Sequence, residues 1–272
     1  MKYLFLLISL LLMPQQGIAQ KSFSDEFKYK AIYKLTYQPD STDANSVRSE
    51  FMILYLGEKI SRFSSAERSR GDSILRHRKR NRLEFTGRFQ GAPQTKFDYY
   101  VFKGIPEGEL SYTRKIVKDN FRYVQDLDLF NWEIQPETKE VSGYQAQKAT
   151  TNFSGREYTA WFTSEIPIPE GPHKFNGLPE LIVEIRDQKD HYSFVLTEFK
   201  EIEGIPFDFT TKDYNTTNQR KCKEVVEKYN FDPFAAMERY GMKIHFTPEQ
   251  EREAKKEVKE KFEKYNNLFE LK

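Results

Sequence analysis

Residues 158–187 limit what this chain can fold into more than any other stretch of its 272 residues. They read YTAWFTSEIPIPEGPHKFNGLPELIVEIRD, in which two strand-like runs flank a connection rich in proline and glycine. The first run alternates Tyr158, Ala160 and Phe162 with Thr159 and Trp161, and this period of two places alternate side chains on opposite faces of a strand. The connection therefore carries the chain between two strands of a sheet.

The prolines of this connection decide the path of its backbone. Pro167, Pro169 and Pro172 fix φ and lack an N–H donor, so the segment cannot pair as an inner strand. We expect an extended chain that wraps across an edge or an end of the sheet. Two interpretations stay open, a wide connection between strands or a groove for a ligand or partner. The candidate binding or motif residues are Trp161, Pro167, Gly171, Pro172, Gly177, Leu178, Pro179 and Glu180.

Short strands separated by turn signals fill most of the chain before residue 200. Alternating patterns or apolar runs occupy residues 29–37, 51–56, 97–102, 110–117, 121–125, 129–134, 145–153 and 191–199. Aromatic residues make up 15% of the chain and favour sheets, because their rings pack well on pleated surfaces. We predict a mainly β fold with C-terminal helices (α+β), in which an antiparallel meander forms a curved sheet, a half-barrel or a sandwich.

The segment from about residue 216 to 272 is predicted to be helical and to pack on the sheet. Thr216 or Thr217 can cap a first helix, Pro233 can open a second, and Thr247-Pro248 is a typical start for a third. The third helix has a narrow apolar stripe that suits docking on the β body, with partner binding as the alternative. That stripe consists of Ala254, Val258, Phe262 and Tyr265.

The N-terminus has the charged, apolar and small-residue regions of a secretory signal peptide. Lys2 precedes an apolar run at residues 4–12, and cleavage after Ala19 would leave Gln20 first. We therefore expect a signal peptide at residues 1–19 and one exported domain at residues 20–272, located in the periplasm or secreted. The rest of the chain has no apolar run of about 18 residues, so we do not expect it to span a membrane.

Charge and cysteine content narrow the function classes further. Without the signal peptide the formal net charge is +1, a balance that argues against a nucleic-acid partner. Cys222 is the sole cysteine, so an internal disulfide is impossible. We expect its thiol to be buried, with a reactive thiol or an intermolecular bridge as the alternative.

Basic residues concentrate between residues 66 and 90. Such a patch could contact phosphate, lipid head groups or an acidic partner, or it could be a solvated insertion between strands. The candidate patch residues are Arg76, Arg78, Lys79, Arg80 and Arg82.

Residues 177–182 read GLPELI, and the surrounding pattern resembles the GLPGLI family, exported β-rich proteins of the Bacteroidota with no established activity. The resemblance covers most of the chain from about residue 29 to 199. Two positions depart from the family pattern, since Glu180 stands where the family has glycine and Ala146 where many members carry cysteine. Supporting residues are Gly143, Tyr144, Gln147, Lys148, Ala149, Gly155, Arg156, Ala160, Trp161, Phe162, Thr163, Ile166, Pro167, Gly171 and Pro172.

No recognisable catalytic motif is present, so no catalytic residue is assigned. The four histidines are dispersed, and the sequence contains no zinc motif, nucleophile elbow, phosphate loop or dinucleotide fingerprint. We accordingly predict neither a metal nor a cofactor.

Two function classes remain. The first is an exported periplasmic binding or accessory protein that assists an outer-membrane transport or envelope complex, with an envelope protein or an apolar small molecule as partner. The alternative is a hydrolase with an unrecognised carboxylate site, for which Glu165, Glu170 and Glu180 are available.

Overall fold

Twelve strands join edge to edge in one curved sheet that does not close into a barrel. The computed structural model describes residues 21–71, 73, 95–242 and 245–270. The expected signal peptide and the candidate basic patch (Arg76, Arg78, Lys79, Arg80, Arg82) lie outside the described residues. The mainly β fold with C-terminal helices is confirmed.

The strands form two consecutive meanders that meet at one antiparallel ladder. Strands β1 to β6 follow one another in space, β7 to β11 do the same, and β1 pairs with β11. The short β12 runs parallel to β6. The strands are β1 (Ser22–Tyr37), β2 (Arg48–Leu56), β3 (Ser61–Ser65), β4 (Tyr99–Lys103), β5 (Glu109–Ile116), β6 (Asp119–Asp126), β7 (Glu133–Val141), β8 (Tyr144–Phe153), β9 (Arg156–Thr163), β10 (Leu181–Asp187), β11 (Tyr192–Thr210) and β12 (Asn215–Thr216).

Alternation along the strands produces two apolar clusters on opposite faces. The larger one covers the face that carries Tyr33, Phe63 and Phe194, which we call the inner face. In β4 the alternation sends Tyr99 and Val101 to the inner face, while Tyr100 and Phe102 join the second cluster. The second, outer cluster consists of Phe27, Ile60, Tyr100, Phe102, Ile105, Phe207 and Phe209.

The outer cluster depends on the length and bending of the central ladder. Strands β1 and β11 contain 16 and 19 residues, and their register shifts between Phe27 and Tyr29. A bulge of this kind bends a strand and increases its twist. The first part of β1 and the last part of β11 can thereby supply Phe27 and Phe207, which pack on β4 from outside.

Two strands differ from the sequence-based boundaries. The pattern at residues 129–134 predicts a strand, but β7 covers Glu133–Val141 and the residues before it form a loop. β7 lies at the edge of the sheet, where Pro136 is tolerated and charged side chains face solvent, so the alternation signal is absent. β11 continues well past residue 199, because Gly204 and Pro206 lie in the bulged ladder rather than in a turn.

Three helices follow the sheet: α1 (Gln219–Phe231), α2 (Pro233–Arg239) and α3 (Pro248–Glu263). Asn218 caps α1 in place of Thr216 or Thr217, whereas Pro233 and the Thr247 capping box begin α2 and α3 as the sequence predicts. Cys222 is the one buried side chain of these three helices, so the prediction of a buried thiol is confirmed. Of the stripe predicted for α3, Phe262 contacts Phe231 of α1, whereas Tyr265, just past the end of the helix, packs against the core cluster of the β body.

No helix within the described ranges is long and apolar enough to cross a membrane.

The outer cluster should matter for stability as much as an ordinary core. Phe102 is 3% exposed and its ring lies 4.9 Å from that of Phe209, so Phe102→Ala should lower the free energy of unfolding by about 3 to 5 kcal/mol. The matched change Phe51→Ala, at a ring that is 53% exposed, should stay within about 0.5 kcal/mol. Urea unfolding measures both, and equal effects would contradict two-sided burial.

Candidate functional site

The connection between β9 and β10 enters the inner face of the sheet instead of crossing an edge, which corrects the expected path. Residues 171–176 are all buried. The carboxylate of Glu170 pairs with Lys103 of β4, and Lys174 bonds Tyr123 and Gln125 of β6. The connection therefore reaches from β10 to strands that lie five and seven positions away in the sheet order.

Two glycines make this path possible. A Cβ on Gly171 would lie 2.7 Å from Cδ1 of Ile182 and 3.0 Å from the Phe175 carbonyl oxygen, so a larger residue would force the buried Ile182 side chain to shift. Gly177 has φ of +88°, the left-handed region that glycine adopts without strain. Glu180 is not among the residues with positive φ, so the departure from the GLPGLI pattern costs no backbone strain.

Lys103, at the end of β4, anchors the middle of the connection to the sheet. Its ammonium group donates to the carbonyls of Gly171 and Phe175, at 2.9 and 2.8 Å, and pairs with Glu170. Burial lowers the pKa of Lys103, and the neighbouring carboxylate opposes that shift. All three N–H groups of the Lys103 ammonium are thus engaged. Lys103 is a structural residue that holds the backbone of residues 171–175 in place.

His173 occupies an unusual backbone conformation at the centre of the inner face. Its φ is +54°, which is uncommon outside glycine and persists where surrounding contacts enforce it. Burial lowers the pKa of His173 to about 4, so the imidazole is neutral at pH 7. The neutral ring accepts from the Tyr99 hydroxyl at Nδ1 and donates from Nε2 to Glu270, both at 3.0 Å.

Glu270 comes from the C-terminal tail, which we define as residues 265–270. Its carboxylate lies 2.7 Å from Nζ of Lys174, a side chain with no exposed surface, and 3.7 Å from Nζ of Lys223. Gln219 donates to it at 2.9 Å. Burial would raise the pKa of Glu270, but the His173 hydrogen bond and the Lys174 charge outweigh burial and hold it well below its usual range. We call His173, Lys174, Gln219 and Lys223 the carboxylate pocket.

Phe269 fills a second pocket beside the first. Its ring centroid lies 4.7 Å from that of His173 and 4.9 Å from that of Tyr192, both nearly perpendicular, the favoured edge-to-face geometry. The five rings that surround it are the aromatic pocket, formed by Tyr158, His173, Phe175, Tyr192 and Phe194.

The backbone of the tail is held as firmly as its side chains. Arg156, itself paired with Asp187 at 2.7 Å, donates to the Leu268 carbonyl at 2.6 Å. The Tyr192 hydroxyl donates to the Asn267 carbonyl, and the Asn267 N–H donates to the Pro39 carbonyl at 3.0 Å. The two pockets and these main-chain contacts together form what we call the inner-face site.

The candidates chosen from the sequence contribute mostly scaffold to this site. Gly171, Pro172 and Leu178 are buried in the connection, Pro167, Gly177 and Pro179 are exposed, and Glu180 is half-buried. Trp161 is half-buried on the outer side of β9, with Nζ of Lys139 at 4.4 Å from its ring. None of the eight is a member of the two pockets.

Sequence reasoning missed the residues that line the pockets. His173 and Lys174 stand between Pro172 and Phe175, and two polar residues inside an otherwise apolar, proline-fixed segment were the available signal. Phe269 and Glu270 follow a highly charged helix, and nothing in their local pattern indicates that they return to the sheet.

Within the part of the chain that the structure covers, no group of three or more His, Cys, Asp or Glu side chains is arranged to hold a metal ion.

Comparison with known families bears on the same stretch. A family model described as "Protein of unknown function (Porph_ging)", of a family associated with the Bacteroidota, matches residues 153–184, which include β9 and the connection. The resemblance to the GLPGLI family stays a prediction. No curated protein matches the chain.

Solved structures of PNGF-II share the fold. The crystal forms in space groups C2 and P21 superpose with TM-scores of 0.50 and 0.51 at 13% and 12% identity, over 76% and 75% of this chain. The chain spans about a third of PNGF-II, 33% and 34% of its length. At this identity the likeness concerns the fold alone.

Phe175 in the connection and Trp161 in β9 should differ in their contribution to stability. Phe175 has no exposed surface and packs against Phe130, Tyr158 and Phe269, so Phe175→Ala should cost about 3 to 5 kcal/mol. Trp161 is half-buried, so Trp161→Ala should cost about 1 to 2 kcal/mol. Urea unfolding of both variants tests the assignment, and a larger loss for Trp161→Ala would refute it.

The ion pairs of Glu270 should make stability fall in acid. The pKa of His173 lies at about 4 against an ordinary 6.5, and that of Glu270 lies below its ordinary 4.5, so the unfolded chain binds more protons than the native chain. Stability is then complete above about pH 6.5, declines towards pH 4 as His173 protonates in the unfolded state, and declines further below pH 4.5 through Glu270.

Substitution of Glu270 measures how much of the loss of stability in acid is due to this residue. Glu270→Gln should lower the free energy of unfolding by about 3 kcal/mol at pH 8, because Lys174 loses its anion, and the difference from wild type should shrink below pH 4.5. Urea unfolding across a pH series measures this. Glu198→Gln, at an exposed pair with Lys200, is the control and should change stability by less than about 0.5 kcal/mol. A pH-independent loss in Glu270→Gln would contradict the assignment.

Proposed function

We propose that this chain is an exported binding or accessory protein of the periplasm or cell exterior, and that the inner-face site is its ligand-binding site. The signal-peptide pattern supports export. The sheet and the connection support binding, because together they gather a ring-lined pocket and a cationic pocket at one place on the inner face.

The observation that carries this proposal is the incomplete charge balance of the connection itself. Lys174 has no exposed surface, yet the carboxylate 2.7 Å from it comes from Glu270 rather than from the sheet or the connection. A buried ammonium group without an anion is strongly unfavourable. The inner-face site is therefore complete only when a segment bearing a carboxylate lies in it, and that is the property of a site for an acidic ligand.

Other binding modes have less support. Two clefts, of about 290 and 110 Å³, lie between α2 and α3 and beside β4 and β5. Charged side chains form half of the first lining, and charged or polar side chains form most of the second, which does not suit a carrier of apolar small molecules. The exposed edge strand β7 carries Pro136 and several charged residues, which oppose strand addition.

Among the residues that the structure describes, two of the carboxylates considered for the hydrolase alternative are engaged in other contacts. Glu165 accepts from the backbone of Gln145, and Glu170 pairs with Lys103. The carboxylate that meets a histidine is Glu270, whose hydrogen bonds to His173, Lys174 and Gln219 leave it engaged in the tail.

Native mass spectrometry tests the proposal on full-length protein recovered from the envelope fraction of an exporting host. The double variant Phe269→Ala, Glu270→Ala frees both pockets, so it should carry a bound adduct at higher occupancy than wild type. Adding Lys174→Met should remove the adduct, because the anion then loses the buried cation of the pocket. Near-ultraviolet circular dichroism confirms that each variant is folded. The proposed binding site would be refuted if the folded double variant carried no adduct. It would also be refuted if Lys174→Met left the occupancy of the adduct unchanged.

A further inference from the structure

The main-chain contacts of the tail are those of a bound peptide. Arg156 donates to the Leu268 carbonyl at 2.6 Å, Tyr192 donates to the Asn267 carbonyl, and the Pro39 carbonyl accepts from the Asn267 N–H at 3.0 Å. Every residue type except proline offers the same main-chain groups, so these contacts do not depend on the sequence of the bound segment. The buried Asn267 side chain adds one sequence-dependent contact, because it accepts from Arg156 at 2.6 Å and donates to the Gln38 carbonyl at 2.7 Å. Peptide-recognition grooves combine such backbone contacts, which give affinity, with side-chain pockets, which give specificity.

The two side-chain pockets bind two consecutive residues of the tail. Phe269 enters the aromatic pocket and Glu270 enters the carboxylate pocket, whereas the Leu268 side chain is 43% exposed. The site therefore selects an aromatic residue followed directly by an acidic one. His173 belongs to both pockets and fixes the spacing between them.

The helices that precede the tail are thinly packed, so they add little to the contacts that a competing segment would have to replace. Of the side chains in α1, α2 and α3, Cys222 alone is buried. Segments with few buried apolar contacts open at low free-energy cost. The tail also leaves the hydroxyl of Tyr158, a residue 1% exposed in the wall of the aromatic pocket, without a hydrogen bond in the covered part of the chain.

We propose that the inner-face site binds a peptide segment of a partner protein in which an aromatic residue directly precedes an acidic residue, and that the C-terminal tail is an internal copy of this ligand that the partner displaces. This inference rests on the proposed binding function and specifies its ligand class. Lys174, His173, Arg156 and Tyr192 stay with the β body when the tail leaves, so the main recognition groups are retained for the incoming peptide.

Fluorescence anisotropy with a labelled peptide of residues 265–272, YNNLFELK, tests the inference on full-length protein. The receptor is the double variant Phe269→Ala, Glu270→Ala, compared with wild type. We expect the peptide to bind the variant at least about tenfold more tightly, because the intact tail competes at high effective concentration in wild type.

Variants of the peptide distinguish specific binding in the two pockets from nonspecific binding. Replacing the glutamate that corresponds to Glu270 by glutamine should weaken binding about tenfold, since one charge-assisted contact is lost. Replacing the phenylalanine that corresponds to Phe269 by alanine should weaken it at least as much. The matched change at Leu268, whose side chain is exposed, should alter affinity by less than about twofold.

The outcomes decide between explanations. A double variant with native circular dichroism that does not bind the peptide, or that binds all peptide variants equally, overturns the inference. If the double variant does not fold, Glu270→Gln is the receptor, and no gain over wild type overturns it as well. Tail exchange between two copies, seen as a dimer that does not take up peptide, also counts against it. A non-peptide adduct in native mass spectrometry with no peptide binding would leave the binding function standing and remove only the ligand class.

Discussion

The buried charge of Lys174 is the constraint on which the inner face depends. Its side chain has no exposed surface, and two neutral acceptors, Tyr123 and Gln125, come from β6. Neutral acceptors alone do not offset the loss of hydration of an ammonium group, so an anion is required. That anion is Glu270, 96 residues further along the chain than Lys174. One ion pair thus ties together the connection, the first meander and the C-terminus.

The backbone around this pair is arranged to present it. His173 holds a left-handed conformation that costs about 1 kcal/mol or more, and the Tyr99 and Glu270 hydrogen bonds on its two ring nitrogens fix the side chain of that residue. Gly171 lets the chain pass against Ile182, and Gly177 turns it back towards β10. Residue 180 already lies next to β10 with ordinary dihedral angles, which explains why glutamate is tolerated where the GLPGLI pattern has glycine.

Periodicity was sufficient for the fold class and insufficient for the site. The alternation of Tyr158, Ala160 and Phe162 gave the correct faces of β9, and the proline and capping signals gave correct starts for α2 and α3. Periodicity describes which side of one element is buried, but not which elements meet across a curved sheet. The contact of Lys174 with β6 and the return of Glu270 therefore had no local signature. The edge strand β7, polar on both faces, had none either.

The ladder between β1 and β11 also sets the order in which this protein can fold. β1 completes its pairing only with β11 (Tyr192–Thr210). One edge of β1 therefore stays unpaired until most of the polypeptide is available. Contacts of such sequence separation carry a large loop-closure entropy and slow folding. Until β11 arrives, the first meander exposes an unpaired edge of up to 16 residues, the kind of edge that invites pairing with other chains. A chain of this topology gains from staying unfolded, or bound to a chaperone, until β11 is available for pairing.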